Sequence, residues 1–270
     1  MRVLSINDLS CIGKCSLSVT LPIVSACGAT CDVLPTALLS THTGGFDGYT
    51  FEDLTERLPD ILNHWERQNE KFDLLYSGYL GSKRQIEMVL DIKRRFLKPH
   101  GIFVVDPVMG DSGKLYAGFQ ADFPKAMLSL CQEADFILPN HTEACLLTET
   151  PYPANGKELL NKLSALAKRP ILTGVEENGE TAVYTLDANG NAVRFAHTTI
   201  QGFFCGSGDV FASTFVGATA NGLPYQKAVE IATEFTSTCI ARSAVEVPDH
   251  RYGLKFEAEI PTLLKLLDKI

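Results

Sequence analysis

Short apolar runs of strand length alternate along the chain with amphipathic stretches of helix length, the pattern of a largely parallel sheet covered by helices on both faces. Arg2–Asn7 reads as the first strand, Leu17–Cys27 as a helix stopped by Gly28, and Thr30–Leu34 as the second strand. After a polar, glycine-containing loop the periodicity predicts a helix over Phe51–Gln68, a strand over Asp73–Tyr76, a helix over Lys83–Leu97 and a buried strand over Ile102–Val105. Helices are expected over Phe119–Cys131, Glu143–Leu147 and Gly156–Ala167, and strands over Asp135–Leu138 and Ile171–Thr173. Asp187-Ala-Asn-Gly190 is turn chemistry between Thr181–Leu186 and Ala192–Ala196, which predicts an antiparallel hairpin. Three helices, Ser207–Ala220, Tyr225–Ala241 and Glu257–Leu267, close the chain. With no repeat, linker or low-complexity segment, the reading is an α/β three-layer sandwich, a mostly parallel central sheet flanked by helices, in one domain over residues 1–270.

In open α/β sheets a ligand lies beyond the carboxyl ends of the strands, so polar residues that follow apolar runs are the first candidates for chemistry. Several such endings are unusually polar: Asn7-Asp8, Ser40-Thr-His-Thr-Gly-Gly45, Ser77-Gly-Tyr-Leu-Gly81, Asp106-Pro-Val-Met-Gly-Asp111, Asn140-His-Thr-Glu143, Thr173-Gly174 and Gly206-Ser-Gly-Asp209. A shared binding site accounts for so many better than chance does. In Gly206-Ser207-Gly208-Asp209 two glycines precede an apolar helix and an aspartate sits in its first turn. Free amides at a helix start favour an anion, glycines permit close backbone approach to a phosphate, and Asp209 is placed to take a proton from a hydroxyl. The structural alternative makes Ser207 the N-cap and Asp209 a carboxylate that complements the helix dipole.

Neither a GxxxxGK[ST] loop nor a GxGxxG turn is present, so a phosphate site would rest on the helix start and a divalent ion. Asp106, Asp111, Asn140 and Glu143 offer hard oxygen atoms suited to magnesium. Asn140 and Glu143, three apart at a helix start, also fit a capping box, and the two roles are compatible. His141 reads as solvated helix surface, and Cys205, beside the helix start, as either a reactive thiol or a small packed residue.

Composition narrows the classes. A length of 270 residues, 45% hydrophobic, is enough for a large core, and a net charge of −8 argues against a nucleic-acid partner. No apolar run approaches the roughly 18 residues that span a bilayer, and Asp8 and Lys14 interrupt the region where a signal peptide would be apolar. The expectation is a cytoplasmic protein without a membrane partner. The eight cysteines are scattered and lack CxxC spacing, so reduced thiols are expected and structural zinc is not.

The order of Ser40-Thr-His-Thr-Gly44, Ser77-Gly-Tyr-Leu-Gly81, Asp106-Pro-Val-Met-Gly-Asp111, Asn140-x-x-Glu143 and Gly206-Ser-Gly-Asp209 resembles the ribokinase superfamily, and within it the pyridoxal kinase branch, over nearly the whole chain. The resemblance implies a ribokinase-like fold, ATP as co-substrate with magnesium, phosphorylation of a vitamin B6 vitamer, and a homodimer. It implies that Asp209 is the base toward the hydroxymethyl group, with Gly206, Ser207 and Gly208 forming an anion hole. It implies further that Asp106 and Glu143 position magnesium, that Asn140 and Thr173 touch ATP phosphates, that Thr43 and Tyr79 line the vitamin pocket, and that Asp111–Phe119 forms a flap. In Ile6-Asn-Asp-Leu-Ser-Cys-Ile-Gly13 the chain departs from the branch: Asp8 stands where a substrate-contacting serine is usual, and an aspartate there also resembles hydroxymethylpyrimidine kinases. That activity is the alternative, as is a non-catalytic protein that binds a B6 vitamer or nucleotide.

Overall fold

The first apolar run continues past Asn7. In the computed structural model, which describes residues 1–270, strand β1 spans Arg2–Ile12, helix α1 spans Leu17–Ala26, and β2 (Thr30–Thr41) returns parallel to β1. The ladder slips between Asn7–Leu9 on β1 and Pro35–Leu38 on β2. Pro35 has no N–H to give, so regular pairing fails there and a bulge results. Asp8, expected at a strand end, therefore lies inside β1 at the slip, and is buried.

Prolines also reset two helix starts. The helix expected from Phe51 is a short strand, β3 (Phe51–Asp53), antiparallel to β2, followed by α2 (Leu58–Arg67) with Pro59 in its first turn. Proline is accommodated there because first-turn amides have no partner to lose. Strand β4 (Phe72–Ser77), helix α3 (Lys83–Phe96) and strand β5 (Leu97–Val105) follow, and β4 pairs parallel with β5. A small hairpin, β6 (Gly110–Asp111) and β7 (Lys114–Leu115), stands at the start of the segment expected to form a flap. Helix α4 (Phe123–Gln132) begins four residues later than the apolar pattern suggests, again with proline, Pro124, in its first turn. Strand β8 (Phe136–Ile137) pairs parallel with β5, ahead of α5 (His141–Leu147) and α6 (Gly156–Ser164). The expected late hairpin is present as β10 (Glu180–Leu186) and β11 (Ala192–Thr198), and β9 (Leu172–Glu177) joins β10 to complete an antiparallel sheet.

Helix α7 (Ser207–Ala220) has the predicted bounds, and every residue from Val210 to Ala220 is buried. Its Gly217 lies against α1, where an added Cβ would come within 2.6 Å of the Cys27 sulfur. Helix α8 (Tyr225–Glu246) outruns its apolar pattern by five residues, with Arg242 paired to Glu246. The last helix is broken: a 3-10 turn over Phe256–Glu259 precedes α9 (Ile260–Leu266), whose first turn carries Pro261. The chain divides into two compact units, Met1–Glu56 with Thr199–Ile270, and Arg57–Thr198. The result is an α/β fold whose main sheet is mostly parallel. No helix is long and apolar enough to cross a membrane.

Candidate active site

In the first unit, Gly206 is the N-cap of α7 in the left-handed conformation (φ 76°), and no side chain caps the helix. A Cβ at Gly206 would stand 2.2 Å from the Lys14 carbonyl oxygen, so only glycine lets the start of α7 lie against the Gly13–Ser16 loop. Ser207 is thus the first helical residue, not the cap. The first amides of α7 lack intrahelical acceptors and carry the positive end of the dipole. Asp209 is in that first turn, beside the Gly13–Ser16 loop against which the start of α7 lies.

Ser16 is itself left-handed (φ 51°). Its hydroxyl donates to Asp8 Oδ1 at 2.6 Å, and the Ser10 hydroxyl donates to Asp8 Oδ2 at 3.3 Å. Two serine hydroxyls therefore hold the Asp8 carboxylate, at the foot of α1. Asp209 as a residue keeps some solvent exposure, yet its carboxyl group is enclosed by protein. Burial pushes it up to about 7; the Ser16 amide holds it down, and the charge of Asp8 raises it further. Burial also pushes Asp8 up, against the hydrogen bonds from Ser16 and Ser10 and the nearby His42.

The neighbouring loop is fastened by His42. Its Nδ1 accepts the Gly44 N–H at 3.0 Å, which leaves Nε2 to donate to the Arg251 carbonyl at 2.6 Å. Thr43 lies between them, exposed. Cys205 is the small packed residue of the two readings: its thiol donates to the Gly44 carbonyl at 3.4 Å, and burial pushes it up to about 11, so it stays protonated at neutral pH.

In the second unit, Asn140 and Glu143 form a full capping box on α5. Asn140 Oδ1 accepts the Glu143 N–H at 2.9 Å, and Glu143 Oε2 accepts the Asn140 N–H at 2.8 Å. Both residues also reach the segment after β5: Glu143 Oε1 accepts the Met109 N–H at 3.1 Å, and Asn140 Nδ2 donates to the Gly110 carbonyl at 2.9 Å. Thr173 is beside them, bridged to Asn140, with its N–H on the Pro139 carbonyl at 2.9 Å. The turn between β6 and β7 is tied down where Gly113 N–H donates to Thr142 Oγ1 at 2.9 Å. Burial pushes Glu143 well above the usual carboxylate range, against the Asn140, Met109 and Gly110 amides that favour its ionised form. Asp106, directly after β5, is buried with its N–H on the Ser77 carbonyl, and the Cys131 thiol is pushed up by burial first and then by the charges of Glu143 and Asp106. Tyr79 is half-buried, with its ring 5.9 Å from Phe119, which stacks on Phe123 at 4.0 Å. His141 departs from its expected place on solvated surface: it is buried, because the 152–154 loop covers it, with Nε2 accepting the Ala154 N–H and the ring against Tyr152.

No three His, Cys, Asp or Glu side chains form a metal cage, so a metal here would rest on one or two carboxylates and on non-protein ligands. Magnesium is held in that way beside phosphates, mostly hydrated. Each oxygen of Glu143 already accepts one amide but retains lone-pair capacity, and a nearby dication would favour the ionised form that burial opposes. The donor set fits a magnesium ion reached through water.

Thr142, Met109 and Ser10 lie inside the motifs read from the sequence without a role of their own there, and Ser16 carried no signal at all. Gly206→Ala is expected to lower thermal stability by on the order of 2–4 kcal/mol, from left-handed strain and the Lys14 clash together. Loss of turnover should exceed what the folded fraction accounts for, since Asp209 and Ser16 shift with the start of α7. Wild-type melting and full activity in this variant would show that the glycine is not required.

A family model described as phosphomethylpyrimidine kinase matches residues 67–253. Pyridoxal kinase from Lactobacillus plantarum superposes with a TM-score of 0.91 at 33% identity, over 98% of this chain and 97% of that one. A Bacteroides thetaiotaomicron protein described as a candidate phosphomethylpyrimidine kinase, crystallised with pyridoxal, superposes with a TM-score of 0.91 at 35% identity, over 97% and 95% of the two chains. Arabidopsis thaliana pyridoxal kinase is 26% identical over 90% of this chain and 82% of its own length. The matched stretch covers 64% and 61% of the lengths of curated relatives from Caenorhabditis elegans and Schizosaccharomyces pombe.

Proposed function

We propose that this chain, which belongs to the phosphomethylpyrimidine kinase family and to its pyridoxal kinase branch, transfers the terminal phosphoryl group of ATP to the 5-hydroxymethyl group of a vitamin B6 vitamer. The observation that carries the reading is Asp209: an enclosed carboxylate with a pKa pushed up to about 7, in the first turn of a glycine-started helix that no side chain caps. A base in that range accepts a proton efficiently near neutral pH. The substrate hydroxyl gives its proton to Asp209 as its oxygen bonds to phosphorus and the bond to ADP breaks. The amides of Gly206, Ser207 and Gly208 face the charge on the transferred group. Asn140 and Thr173 serve the ATP phosphates, and Thr43 and Tyr79 the vitamer. Magnesium, when bound, neutralises phosphate charge, and Asp106 and Glu143 are the residues that would hold it. In this reading residues 1–270 work as one kinase domain in a cytosolic homodimer, a state that light scattering at assay concentration tests.

Hydroxymethylpyrimidine phosphorylation is the second reading, favoured by Asp8 and by the family description. The likeness to the Lactobacillus pyridoxal kinase over almost the entire length of both chains supports the B6 reading instead. Assays with ATP and magnesium across pyridoxal, pyridoxine, pyridoxamine and hydroxymethylpyrimidine decide between them. A B6 vitamer is expected to show the highest kcat/KM; preference for hydroxymethylpyrimidine, or binding of a vitamer without turnover, overturns the proposal.

A further inference from the structure

We propose that Arg251 is a positioning residue for the segment that carries Thr43, which it clamps from near the far end of the chain. The inference rests on the reading that Thr43 meets the vitamer. Every part of the clamp lies in the first unit. The guanidinium joins two partners: Nε and Nη2 donate to the Asp249 carboxylate at 2.9 and 2.7 Å, and Nη1 donates to the Gly45 carbonyl at 3.0 Å. The stem of the same side chain lies on Gly45, where an added Cβ would stand 2.9 Å from Arg251 Cδ. The Arg251 carbonyl accepts His42 Nε2–H at 2.6 Å, and Nδ1 of that ring accepts the Gly44 N–H at 3.0 Å. Arg251 therefore holds both flanks of Thr43, one through its main chain and His42, the other through its side chain and Gly45. A bond from the Gly45 N–H to the Thr43 carbonyl at 3.0 Å passes that hold to Thr43 itself. Ring contacts close the circuit: Phe46 is edge-on to His42 at 5.0 Å and to Tyr252 at 5.4 Å, with the guanidinium 5.2 Å from its centre.

The turn that supplies Arg251 is anchored in its own right. Asp249 Oδ1 accepts the Arg251 N–H at 3.1 Å, the Tyr252 carbonyl accepts the Lys14 N–H at 3.2 Å, and Leu254 is buried. Thr43, by contrast, is exposed, and its place depends on what holds its neighbours. The Arg251 and Asp249 side chains are 49% and 37% exposed, and an ion pair so open to water adds little to the stability of a fold. Loss of the clamp therefore leaves the fold standing and frees the loop. Only arginine suits the position: its planar fork bonds a carboxylate and a carbonyl at once, whereas a lysine ammonium is a single point charge on a flexible stem.

Arg251→Lys keeps the charge and most of the stem but not the fork. The KM for the alcohol that the wild type phosphorylates best, a B6 vitamer in the proposed function, is expected to rise about three- to ten-fold in this variant. The KM for ATP and kcat should stay within about two-fold of wild type, with the melting temperature nearly unchanged. Exchange of the Gly44 amide hydrogen, measured without ligand, should quicken about ten-fold. Asp249→Asn weakens the hold on the guanidinium and should move KM and exchange in the same direction, by less. Combining Arg251→Lys with Thr43→Val tests the route: if Arg251 acts by placing Thr43, the double variant binds the alcohol little worse than Thr43→Val alone. Additive effects would mean that Arg251 meets the substrate itself, and overturn the proposal. So does an unmoved KM for the alcohol in a folded Arg251→Lys protein, and so does a loss of activity that only follows the loss of folded protein. If Arg251→Lys does not fold, Asp249→Asn carries the decision. The exchange measurement needs no turnover, so a wild type that phosphorylates neither a B6 vitamer nor hydroxymethylpyrimidine refutes the functional reading, while the clamp stands or falls on Gly44 exchange.

Discussion

Asp209→Asn is expected to reduce turnover on the order of 10²- to 10⁴-fold, with vitamer and ATP affinities nearly unchanged. The substitution keeps the shape of the side chain but removes the group that receives the substrate proton. Stability should move the opposite way. The folded pKa of Asp209, about 7, lies above its ordinary value of 3.8. The folded form binds this proton more tightly than the unfolded chain does, so the contribution to stability is fully present below pH 4 and is lost as pH rises through 7. At pH 8 the wild type bears an enclosed carboxylate that asparagine does not. A gap of roughly three pH units corresponds to a ceiling of about 4 kcal/mol, and Asp209→Asn should melt several degrees higher at pH 8, with the difference closing toward pH 4. An aspartate serving only to complement the dipole of α7 predicts the reverse: lower stability on substitution, and full activity per folded molecule. Turnover, ligand affinity and melting temperature at two pH values on this one variant separate the two.

The parts of the site that are contiguous in sequence were legible there. Gly206-Ser-Gly-Asp209 announces a helix start with spare amides, and α7 has the predicted bounds. Asn140-x-x-Glu143 reads as a capping box and forms one. Asp187–Gly190 reads as a turn and joins β10 to β11. Element boundaries failed where a local rule outweighed periodicity: Pro59, Pro124 and Pro261 each set a helix start that the apolar pattern alone places earlier. Strands β1 and β2 outran their apolar runs because parallel pairing continues through Ser10–Leu39 to Ile12–Thr41, supplying hydrogen bonds to polar residues that look like loop. What was not legible depends on tertiary juxtaposition. Nothing in Gly13-Lys-Cys-Ser16 signals that Ser16 would turn left-handed and give its hydroxyl to Asp8. Nor does a sequence show that the 152–154 loop would bury His141.

Glu143 carries the second large effect, and its two substitutions divide a structural from a metal-linked role. Glu143→Ala withdraws the acceptor from the Asn140 and Met109 amides, at about 1–3 kcal/mol for each buried donor left unsatisfied. It also frees the segment that carries Asp106 and the root of the flap. We expect a lower melting temperature together with a fall in kcat/KM for ATP on the order of 10- to 100-fold, while vitamer affinity, which rests on other residues, is retained. Glu143→Gln keeps the size and one acceptor oxygen but loses the charge. If the carboxylate serves magnesium, this variant needs more magnesium for half-maximal activity. In the wild type that requirement should fall as pH rises, because burial holds a proton on Glu143 that the ion must displace. If the carboxylate serves only to cap α5, both variants lose stability while the magnesium dependence of the folded protein stays that of the wild type at every pH. A magnesium titration of Glu143→Gln that overlays the wild type would remove Glu143 from the metal site and leave its role to the helix start alone.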